Sequence, residues 1–557
     1  MLLLFLAVFG IYFSQVIKMP PPKITDLSSL EQKRTEISPG FYALGNNRLR
    51  KSDTGLWEMY IEGEPFSRGV SSGRLSSELI TLQEDAFIAE IKRIVPSDNY
   101  LKFLKYFVAW FNRRMEKYIP EEYMQEAYGV SFSVTEKYNV IGSAFERILN
   151  YHGAHDTGHM LQDLALVGCT AFSCRNGKTP DGKLIVGRNF DFYAGDAFAE
   201  NKIVTFYNPR RGYKLVTITW GGFIGAVSGL NDQGLALVIN AGKSELPGAS
   251  AVPVSLIARE ILQYAATIDE AFRIAESRKS FVAEAFFVAS ARENRSVIIE
   301  KTPHEIGIFD PGSDTVIVPN HYQSGRFLSN KLNLQNIKES SSLYRLRRME
   351  ELTGRFPKID YREAAVILRD QKGMGGSNIG MGNEKAMNQL ISHHSVIIKP
   401  SELKIWISTA PWQLGRYVCY DLDRVFKIFP GLAENRELYE ENFTIPEDEF
   451  LFSKSYIDFT NYRVLYKKAE AEITNRTITN VNFALLDELT RSNPEFFAGH
   501  ELAGNYCLAK KNYPAAQKYY LTALQKEITT VPEKKRIEKN LELCRQDKPS
   551  RRKHARK

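Results

Sequence analysis

Residues 168–174 read GCTAFSC, and residues 181–191 read DGKLIVGRNFD. These stretches place a thiol (Cys169), a guanidinium (Arg188) and a carboxylate (Asp191) within one short segment. The turn and strand between them predict a hairpin that returns both charged side chains to the thiol. Gly168 tolerates the strained backbone that an N-to-S acyl shift needs. Scission between Gly168 and Cys169 would give the cysteine a free α-amine beside its own sulfur, so that one residue is both nucleophile and base.

Other interpretations of the same thiols stay open. A lone free cysteine is most often a small buried hydrophobic residue. Cys174 also competes with Cys169 for the role of nucleophile, because spacing alone does not separate them. An uncleaved thiol hydrolase that uses Cys174 or a histidine pair would remain a single intact polypeptide.

The composition is that of an ordinary folded protein, with 43% hydrophobic and 25% charged residues. At 557 residues the chain exceeds the size of a single core, so we expect two or more units. Six lysine and arginine residues after Asp547 account for six of the eight excess positive charges. The nearly neutral remainder argues against nucleic acid as a partner. The five cysteines are odd in number and lack CxxC pairs, which favours neither a disulfide framework nor a structural zinc site.

The two ends differ from the body of the chain. Residues 1–17 read MLLLFLAVFGIYFSQVI and precede three prolines at 20–22. We interpret residues 1–24 as an apolar signal or anchor segment, and expect an exported or membrane-anchored, periplasmic or extracytoplasmic protein that associates with the membrane through its N-terminus. Residues 547–557 form a basic tail, which we interpret as a solvated end.

The pattern of apolar residues changes at Cys169. From about Pro65 to Leu166 apolar residues recur at helical spacing, as they do between Ser97 and Met115. After Cys169, short β-type runs broken by glycine turns alternate with helical stretches, which predicts an α+β protein. The predicted parts are a helix-rich prosegment (25–168), a catalytic domain (169–430), a linker (431–480) and a helical unit (481–546). The predicted strands are 183–187, 213–220, 235–239, 296–300, 315–318, 395–398 and 404–408, and the predicted helices are 255–276 and 341–351.

The helical unit has features of a tetratricopeptide repeat. Its small and aromatic residues fall where such a repeat places its packing residues, at Gly504, Tyr513, Ala516, Tyr520 and Ala523. A repeat of this kind needs stacked neighbours to bury its faces. A plain helical hairpin is therefore an equal alternative, and a protein partner at this unit is a hypothesis.

The motifs around Cys169 resemble those of the N-terminal-nucleophile cysteine hydrolases: choloylglycine hydrolase, acid ceramidase, N-acylethanolamine acid amidase and, in layout, isopenicillin N acyltransferase. The Cys-Thr-x-x-x-Cys opening followed by Gly-Arg-Asn-Phe-Asp is similar to the last group in particular. This resemblance covers roughly residues 55–425. It implies a four-layer α-β-β-α fold, with Cys169 as nucleophile and with Arg188 and Asp191 orienting the thiol and its α-amine.

Further residues follow from the resemblance. The segment NDQGLALVIN (231–240) implies that the Asn240 side chain donates to the oxyanion, and VPNHY (318–322) implies a second asparagine at Asn320. The segment SSLYR (341–345) implies a later arginine at Arg345, although Arg347 and Arg348 leave the register open. No cofactor is implied.

A group of histidines just before the predicted scission site could form a metal site. His152, His155, Asp156 and His159 lie at helical spacing, but the segment lacks a His-Glu-x-x-His signature and the nucleophile needs no metal. Packing roles are favoured, so no metal is expected. His393-His394 opens a predicted strand, and one of its two rings is expected to face inward.

The sequence thus predicts a zymogen, because before cleavage the nitrogen of Cys169 is an amide and cannot act as a base. Cleavage would yield an amidohydrolase or acyltransferase that works through a Cys169 thioester. The expected substrate is a small N-acylated amine with an apolar acyl group. The alternative from another class is a non-catalytic, membrane-tethered scaffold that binds partners through its tetratricopeptide-like end.

Overall fold

The structure is a computed structural model that describes residues 18–94, 106, 108–160, 168–243 and 250–546. It divides into two compact units. The first unit comprises the described residues within Met1–Leu334, Leu352–Leu368 and Ile391–Pro446, and the second comprises those within Gln335–Glu351, Arg369–Leu390 and Glu447–Lys557.

The strands all belong to the first unit. In chain order they are β1 (Thr35–Ser38), β2 (Phe41–Leu44), β3 (Asn47–Lys51), β4 (Trp57–Gly63), β5 (Thr170–Cys174), β6 (Ile185–Phe190), β7 (Ile203–Pro209), β8 (Leu215–Thr219), β9 (Ser228–Asn231), β10 (Leu235–Ala241), β11 (Glu284–Ser290), β12 (Arg295–Lys301), β13 (Ile306–Phe309), β14 (Thr315–Val318), β15 (His394–Lys399), β16 (Lys404–Ser408) and β17 (Tyr417–Asp421).

The helices lie before, between and after these strands. They are α1 (Pro65–Leu75), α2 (Ser77–Ile94), α3 (Glu121–Ser131), α4 (Ala144–Met160), α5 (Val254–Tyr264), α6 (Ile268–Ser277), α7 (Lys331–Glu339), α8 (Ser342–Arg355), α9 (Tyr361–Leu368), α10 (Leu422–Ile428), α11 (Lys454–Thr474), α12 (Phe483–Ser492), α13 (Phe497–Ala509), α14 (Tyr513–Leu524) and α15 (Val531–Gln546).

The strands form two sheets. The larger has eleven strands in the order β1-β2-β3-β4-β7-β8-β9-β10-β11-β12-β13, and the smaller has six in the order β14-β5-β6-β15-β16-β17. Neighbours pair in antiparallel fashion, except that β4 and β7 run parallel. The combination of helices with mainly antiparallel sheets confirms the predicted α+β class.

Alternating residues of the strands build two hydrophobic cores. Val238 of β10 and Val186 of β6 belong to the core that the two sheets share. Ile239, the next residue of β10, points the other way and joins Leu256 and Ile257 of α5 in the second core. Because successive strand residues face opposite sides and both sides are covered, a strand such as β10 is buried along its whole length and is apolar except for Asn240. Each fully buried residue of this kind contributes about 1.5–3 kcal/mol.

The segment before Cys169 contributes strands as well as helices. β1–β4 precede the predicted helices, and their pattern was not identified in the sequence. β4 pairs with β7 along its full length, from Trp57 opposite Ile203 to Gly63 opposite Pro209. Of the helix predicted between Ser97 and Met115, residues 97–105 and 107 lie outside the described residues. The segment before Cys169 is therefore joined to the segment after it through a continuous sheet.

The second unit contains the C-terminal helices α11–α15. Ala516, Tyr520 and Ala523 of α14 are buried, as their small and aromatic character predicted. A Cβ on Gly504 of α13 would lie 2.5 Å from the Tyr520 ring, so only glycine allows this close approach. The tetratricopeptide interpretation remains a prediction.

The predicted apolar segment and basic tail lie largely outside this description, because residues 1–17 and 547–557 are not described. In the part of the chain that is described, no helix combines the length and the apolar character that crossing a membrane requires.

Candidate active site

Cys169 lies immediately before β5, and the predicted hairpin is present. β5 pairs with β6 so that Ala171 is opposite Arg188, and the Gly168 N–H donates to the Asp191 backbone oxygen at 3.2 Å. The thiol is 1% exposed. Burial raises the pKa of the Cys169 thiol to about 11, and the neighbouring Arg188 charge offsets part of this rise. The thiol is thus protonated at neutral pH.

Arg188 is buried and fixed by three hydrogen bonds. Nη2 lies 3.5 Å from Cys169 Sγ and donates to the Ile239 backbone oxygen at 2.6 Å, while Nη1 donates to Ser228 Oγ at 2.7 Å. The guanidinium carbon lies 4.2 Å from the centre of the Phe190 ring, a cation–π contact. The guanidinium therefore contacts the thiol, the larger sheet and an aromatic face together.

Asp191 follows β6 directly and is also buried. Its Oδ1 accepts a short hydrogen bond from Ser392 Oγ. Its backbone N–H and its carboxylate act on Cys169 in opposite senses: the N–H lowers the pKa of the thiol, and the carboxylate charge raises it. Among the described residues, the hydrogen bonds of Arg188 go to Cys169, Ser228 and Ile239 rather than to the Asp191 carboxylate. Ser392, absent from the sequence prediction, is the side chain that holds this carboxylate.

Asn240 and Asn320 link the two sheets at the ends of β10 and β14. Asn240 Nδ2 donates to the Val318 backbone oxygen at 3.0 Å, and Asn320 Nδ2 donates to the Ala241 backbone oxygen at 3.0 Å. Asn240 Oδ1 is buried without a hydrogen-bond partner among the described residues. The Asn240 amide nitrogen carries two hydrogens, and its bond to Val318 uses one of them. The role of Asn240 toward an oxyanion and the catalytic role of Asn320 remain predictions.

Arg345 lies in the second unit. It donates to Ser341 Oγ and to the Glu384 backbone oxygen, both in the same unit. Arg348 binds Asp370 and Glu351, again within that unit. These contacts do not test the prediction that Arg345 serves the reaction.

Cys174, the competing thiol, lies at the opposite end of β5. It pairs with Ile185, and its Sγ lies 3.7 Å from Thr315 Oγ1. Burial raises the pKa of its thiol to about 11, as it does for Cys169. Cys169, by contrast, has Arg188 and Asp191 as neighbours. The geometry therefore favours Cys169 over Cys174 as the candidate nucleophile.

Glu284 is a charged neighbour that the sequence analysis missed. It begins β11 opposite Ala241 and is fully buried. Its charge raises the pKa of Cys169 and favours the charged form of Arg188. The sequence feature that could have indicated this residue is a single glutamate at the start of the apolar run EAFFVAS. That run forms β11, which was not predicted.

A chain of buried polar groups extends from Arg188 to two histidines. Ser228 Oγ accepts from Arg188 and lies 2.9 Å from His394 Nε2, and His394 Nδ1 lies 2.8 Å from His393 Nδ1. These contacts link Arg188, Ser228, His394 and His393 in one chain, in which the histidine tautomers set the donors of the last two bonds. His393 Nε2 has no hydrogen-bond partner among the described residues.

The charges around this chain keep both imidazoles neutral. Burial lowers the pKa of His393 and of His394 well below the usual value, and the positive charges of Lys202 and Arg188 lower both further. Burial also lowers the pKa of Lys202 to about 7. Both rings are buried, whereas the sequence analysis expected one of them to face inward.

His152 is the described member of the histidine cluster near the cut. Its Nδ1 donates to the Ile148 backbone oxygen at 2.8 Å, and its Nε2 accepts from the Ile224 N–H at 3.0 Å. The ring stacks on Phe223 at 4.5 Å. These contacts give it the expected packing role. The side chains of His155, Asp156 and His159 lie outside the described residues.

An aromatic pocket lies next to the Phe190 ring. It encloses about 490 Å³ of atom-free space, including its open mouth. Its aromatic walls are Phe87, Tyr151, Phe192, Phe198, Trp220 and Phe223. Phe192 and Trp220 stack parallel to Phe190, with ring centres 5.7 and 6.5 Å away. Helices before Cys169 and loops after it thus enclose a largely apolar space one ring away from Arg188.

Known proteins resemble this chain over part of its length. The family model "Acyl-coenzyme A:6-aminopenicillanic acid acyl-transferase" matches residues 177–410, a range that begins after Cys169 and contains the other predicted site residues. An uncharacterized protein of Archaeoglobus fulgidus is 24% identical over 304 residues, covering 48% of this chain and 50% of the relative. Protein dcd1A of Dictyostelium discoideum is 23% identical over 240 residues, covering 38% and 51%. The chain spans about half the length of these curated relatives.

Solved structures give weaker likenesses. The Caenorhabditis elegans ortholog of N-acylethanolamine-hydrolyzing acid amidase has a TM-score of 0.29 and 17% identity, covering 42% of this chain and 93% of that one. A mutant conjugated bile acid hydrolase of Clostridium perfringens has a TM-score of 0.33 and 12% identity, covering 49% and 96%. Penicillin V acylase of Agrobacterium tumefaciens has a TM-score of 0.32 and 15% identity, covering 48% and 89%. At such TM-scores these likenesses carry no argument about function. Over residues 177–410, the family-model match confirms the resemblance that the motifs indicated.

Proposed function

We propose that this protein is a cysteine amidohydrolase or acyltransferase that activates itself by cutting the bond between Gly168 and Cys169. The observation that carries the proposal is the position of Cys169, with Arg188 Nη2 3.5 Å from its sulfur and Asp191 paired with Gly168 across the hairpin. The residues that carry the thiol, the guanidinium and the carboxylate, Cys169, Arg188 and Asp191, therefore lie together near the Gly168–Cys169 peptide bond, just before β5. The family-model match supports the same class of reaction.

Activation would proceed by an N-to-S acyl shift. Cys169 Sγ attacks the Gly168 carbonyl carbon, the C–N bond breaks, and the thiol proton passes to the released nitrogen. Water then hydrolyses the resulting thioester. The products are a Gly168 carboxylate and a free Cys169 α-amine. Because a free α-amine has a pKa of roughly 7.7–8.0, it can accept the thiol proton that no amide nitrogen could accept.

Turnover would use the same sulfur. The Cys169 thiolate attacks the substrate amide carbon, and the tetrahedral oxyanion collapses as the α-ammonium protonates the leaving amine. Water or an acceptor amine then resolves the thioester. The side-chain amides of Asn240 and Asn320 are the proposed oxyanion donors, each worth roughly 3–4 kcal/mol in comparable sites. Arg188 would favour the thiolate, since its charge lowers the pKa of Cys169.

The aromatic pocket supports an apolar acyl group as the part of the substrate that is bound. Its walls are mainly rings and aliphatic side chains, with Gln83 and Glu84 as the charged or amide-bearing side chains, and Phe190 connects it to Arg188. We therefore propose a small N-acylated amine as substrate, with the acyl group in this pocket. If water accepts the acyl group from the thioester, the protein is a hydrolase. If an amine accepts it, the protein is an acyltransferase.

Three broader proposals accompany this function. The four-layer α-β-β-α arrangement follows from the family, and two sheets that share a core support it. Export or membrane anchoring rests on residues 1–24. A protein partner at the tetratricopeptide-like unit rests on the Gly504–Tyr520 packing.

The test is the intact mass of the purified protein and of a Cys169→Ala variant. We expect two chains in the parent, the second beginning at Cys169, and a single chain in the variant. Incubation with N-acyl amides should release free amine from the parent alone. A parent that stays uncut yet hydrolyses amides would overturn self-activation and favour Cys174.

A further inference from the structure

One carboxylate, that of Glu84, lines the aromatic pocket beside the Gln83 amide. Glu84 of α2 is only 3% exposed. Its Oε1 accepts from Arg147 Nε at 2.9 Å and from the Tyr151 hydroxyl at 2.8 Å. Its Oε2 is buried, and no described residue donates to it. A buried acceptor without a donor is costly, so such an atom marks a place where a ligand group can bind.

The charge around Glu84 limits the kind of donor. Arg147 is also buried, and it forms an ion pair with Glu84 while binding Asn139 and two backbone oxygens. The carboxylate charge is therefore already balanced. A ligand cation would bring an uncompensated charge into an apolar space, which is unfavourable. A neutral hydroxyl donates to Oε2 without adding charge.

The walls of the pocket limit the shape of the ligand. Phe192 and Trp220 are parallel to one another, with ring centres 6.3 Å apart, and Phe87 meets Tyr151 edge to face at 5.7 Å. Flat rings stacked in this way favour another ring as ligand. A Cβ on Gly221 would lie 2.6 Å from the Leu79 backbone, so this wall has no room for a side chain.

We infer that the aromatic pocket binds an aromatic ring that carries a hydroxyl group, and that Glu84 Oε2 accepts the hydrogen bond from this hydroxyl. This step deepens the proposed function and rests on it in one respect: the ring then belongs to the acyl group of the substrate. The preferred substrates would be amides of hydroxyaryl carboxylic acids. Glu84 is thus a specificity residue rather than a catalytic one.

Equilibrium binding tests the pocket without any turnover. We expect the parent protein to bind 4-ethylphenol roughly tenfold or more tightly than ethylbenzene in calorimetric titrations. Only the phenol can donate a hydrogen bond to the charged Glu84 carboxylate. Glu84→Gln keeps the shape and an acceptor for Arg147 but can present an N–H in place of Oε2. This variant should lose the preference for the phenol and gain affinity for 4-ethylanisole, which offers only an acceptor.

Glu78→Gln is the matched control, because Glu78 lies on the same helix but is exposed and paired with Arg34. It should keep the parent's preference. Equal affinity of the parent for 4-ethylphenol and ethylbenzene would overturn the inference whether or not Glu84→Gln folds. A preference that persists in a folded Glu84→Gln variant would overturn it as well.

Turnover distinguishes this inference from the proposed function. Matched 4-hydroxyphenylacetyl and phenylacetyl amides would be compared by kcat/KM, with a higher value expected for the hydroxylated one. Phenol-selective binding without hydrolysis of either amide would leave the pocket assignment intact and contradict the proposed function. Hydrolysis of both amides at equal kcat/KM would contradict the pocket assignment alone.

Discussion

Arg188 Nη2 lies 3.5 Å from Cys169 Sγ while the same nitrogen donates to the Ile239 backbone oxygen at 2.6 Å. The guanidinium therefore joins the hairpin of the smaller sheet to β10 of the larger one. Its planar group makes several directed hydrogen bonds at once, which a lysine ammonium does not reproduce. The position of the thiol relative to the larger sheet depends on this contact.

Arg188→Lys should slow both self-cleavage and amide hydrolysis by roughly tenfold or more, because a shorter cation loses the bonds to Ser228 and Ile239. The appearance of the second chain over time, followed by mass spectrometry, measures the first rate. Arg295→Lys is the control, since Arg295 pairs with Asp310 near the surface. Unchanged rates in a folded Arg188→Lys variant would contradict the role assigned to the guanidinium.

Asn320→Ala should lower kcat by about 100-fold to 1000-fold with little change in KM, as expected for a donor that binds the oxyanion. Steady-state kinetics with an N-acyl amide provides the measurement. Thermal unfolding separates this effect from loss of the bond to Ala241. Asn208→Ala, near Tyr60 and Glu62, should leave kcat unchanged. A rise in KM at constant kcat would show that Asn320 binds substrate instead.

Ser228→Ala removes the hydroxyl that joins Arg188 to His394. We expect kcat to fall roughly tenfold at constant KM, since Arg188 loses one of its three fixed acceptors. Ser290→Ala is a suitable control, because Ser290 is a buried serine of β11 whose hydroxyl has no hydrogen-bond partner among the described residues. Equal kcat in the parent and in Ser228→Ala would show that the histidine chain is irrelevant to the thiol.

The two proposed chains should remain associated after cleavage. β4 precedes the cut and pairs with β7 after it over seven residue pairs, from Trp57 opposite Ile203 to Gly63 opposite Pro209. Size-exclusion chromatography in buffer should therefore give one peak containing both chains. Separation should require denaturant. Elution of two separate chains in buffer would contradict the prediction that the pairing of β4 with β7 holds the chains together.

His152 should make the folded protein sensitive to acid. Burial lowers the pKa of His152 from 6.5 to about 4. The unfolded chain therefore binds more protons below pH 6.5, and stability falls as the pH drops from about 6.5 towards 4. Between pH 7 and pH 5 this residue should account for about 2 kcal/mol of the loss in the free energy of unfolding.

Urea unfolding of the parent and of His152→Phe at both pH values measures that contribution. The variant should be less stable at pH 7, because the bonds to Ile148 and Ile224 are lost, but its stability should fall less at pH 5. Parallel losses in the two proteins would contradict the assignment. His304→Phe serves as the control, because His304 lies in an exposed turn.

Much of the local structure could be predicted from the chain. The strand at 315–318 and the strand at 404–408 have the bounds that their apolar runs predicted. The predicted helix over 255–276 is present as α5 and α6, separated at Ala265 and Ala266. The missed strands are β7, β9, β11, β13 and β17, and β1–β4 lie in a segment described only as helix-rich. Those strands form because partners distant in the chain pair with them, which no local pattern records.

The sequence by itself determined the α+β class, the change of structure at Cys169 and the hairpin that places Arg188 and Asp191 beside the thiol, because these depend on spacing within some twenty residues. Tertiary structure alone decided that Ser392 holds Asp191, that Glu284 and the His393–His394 pair surround the site, and that Glu84 enters the aromatic pocket. These groups come from four separate segments. Burial, which sets both their charge state and their hydrogen-bond needs, exists only once the segments have packed.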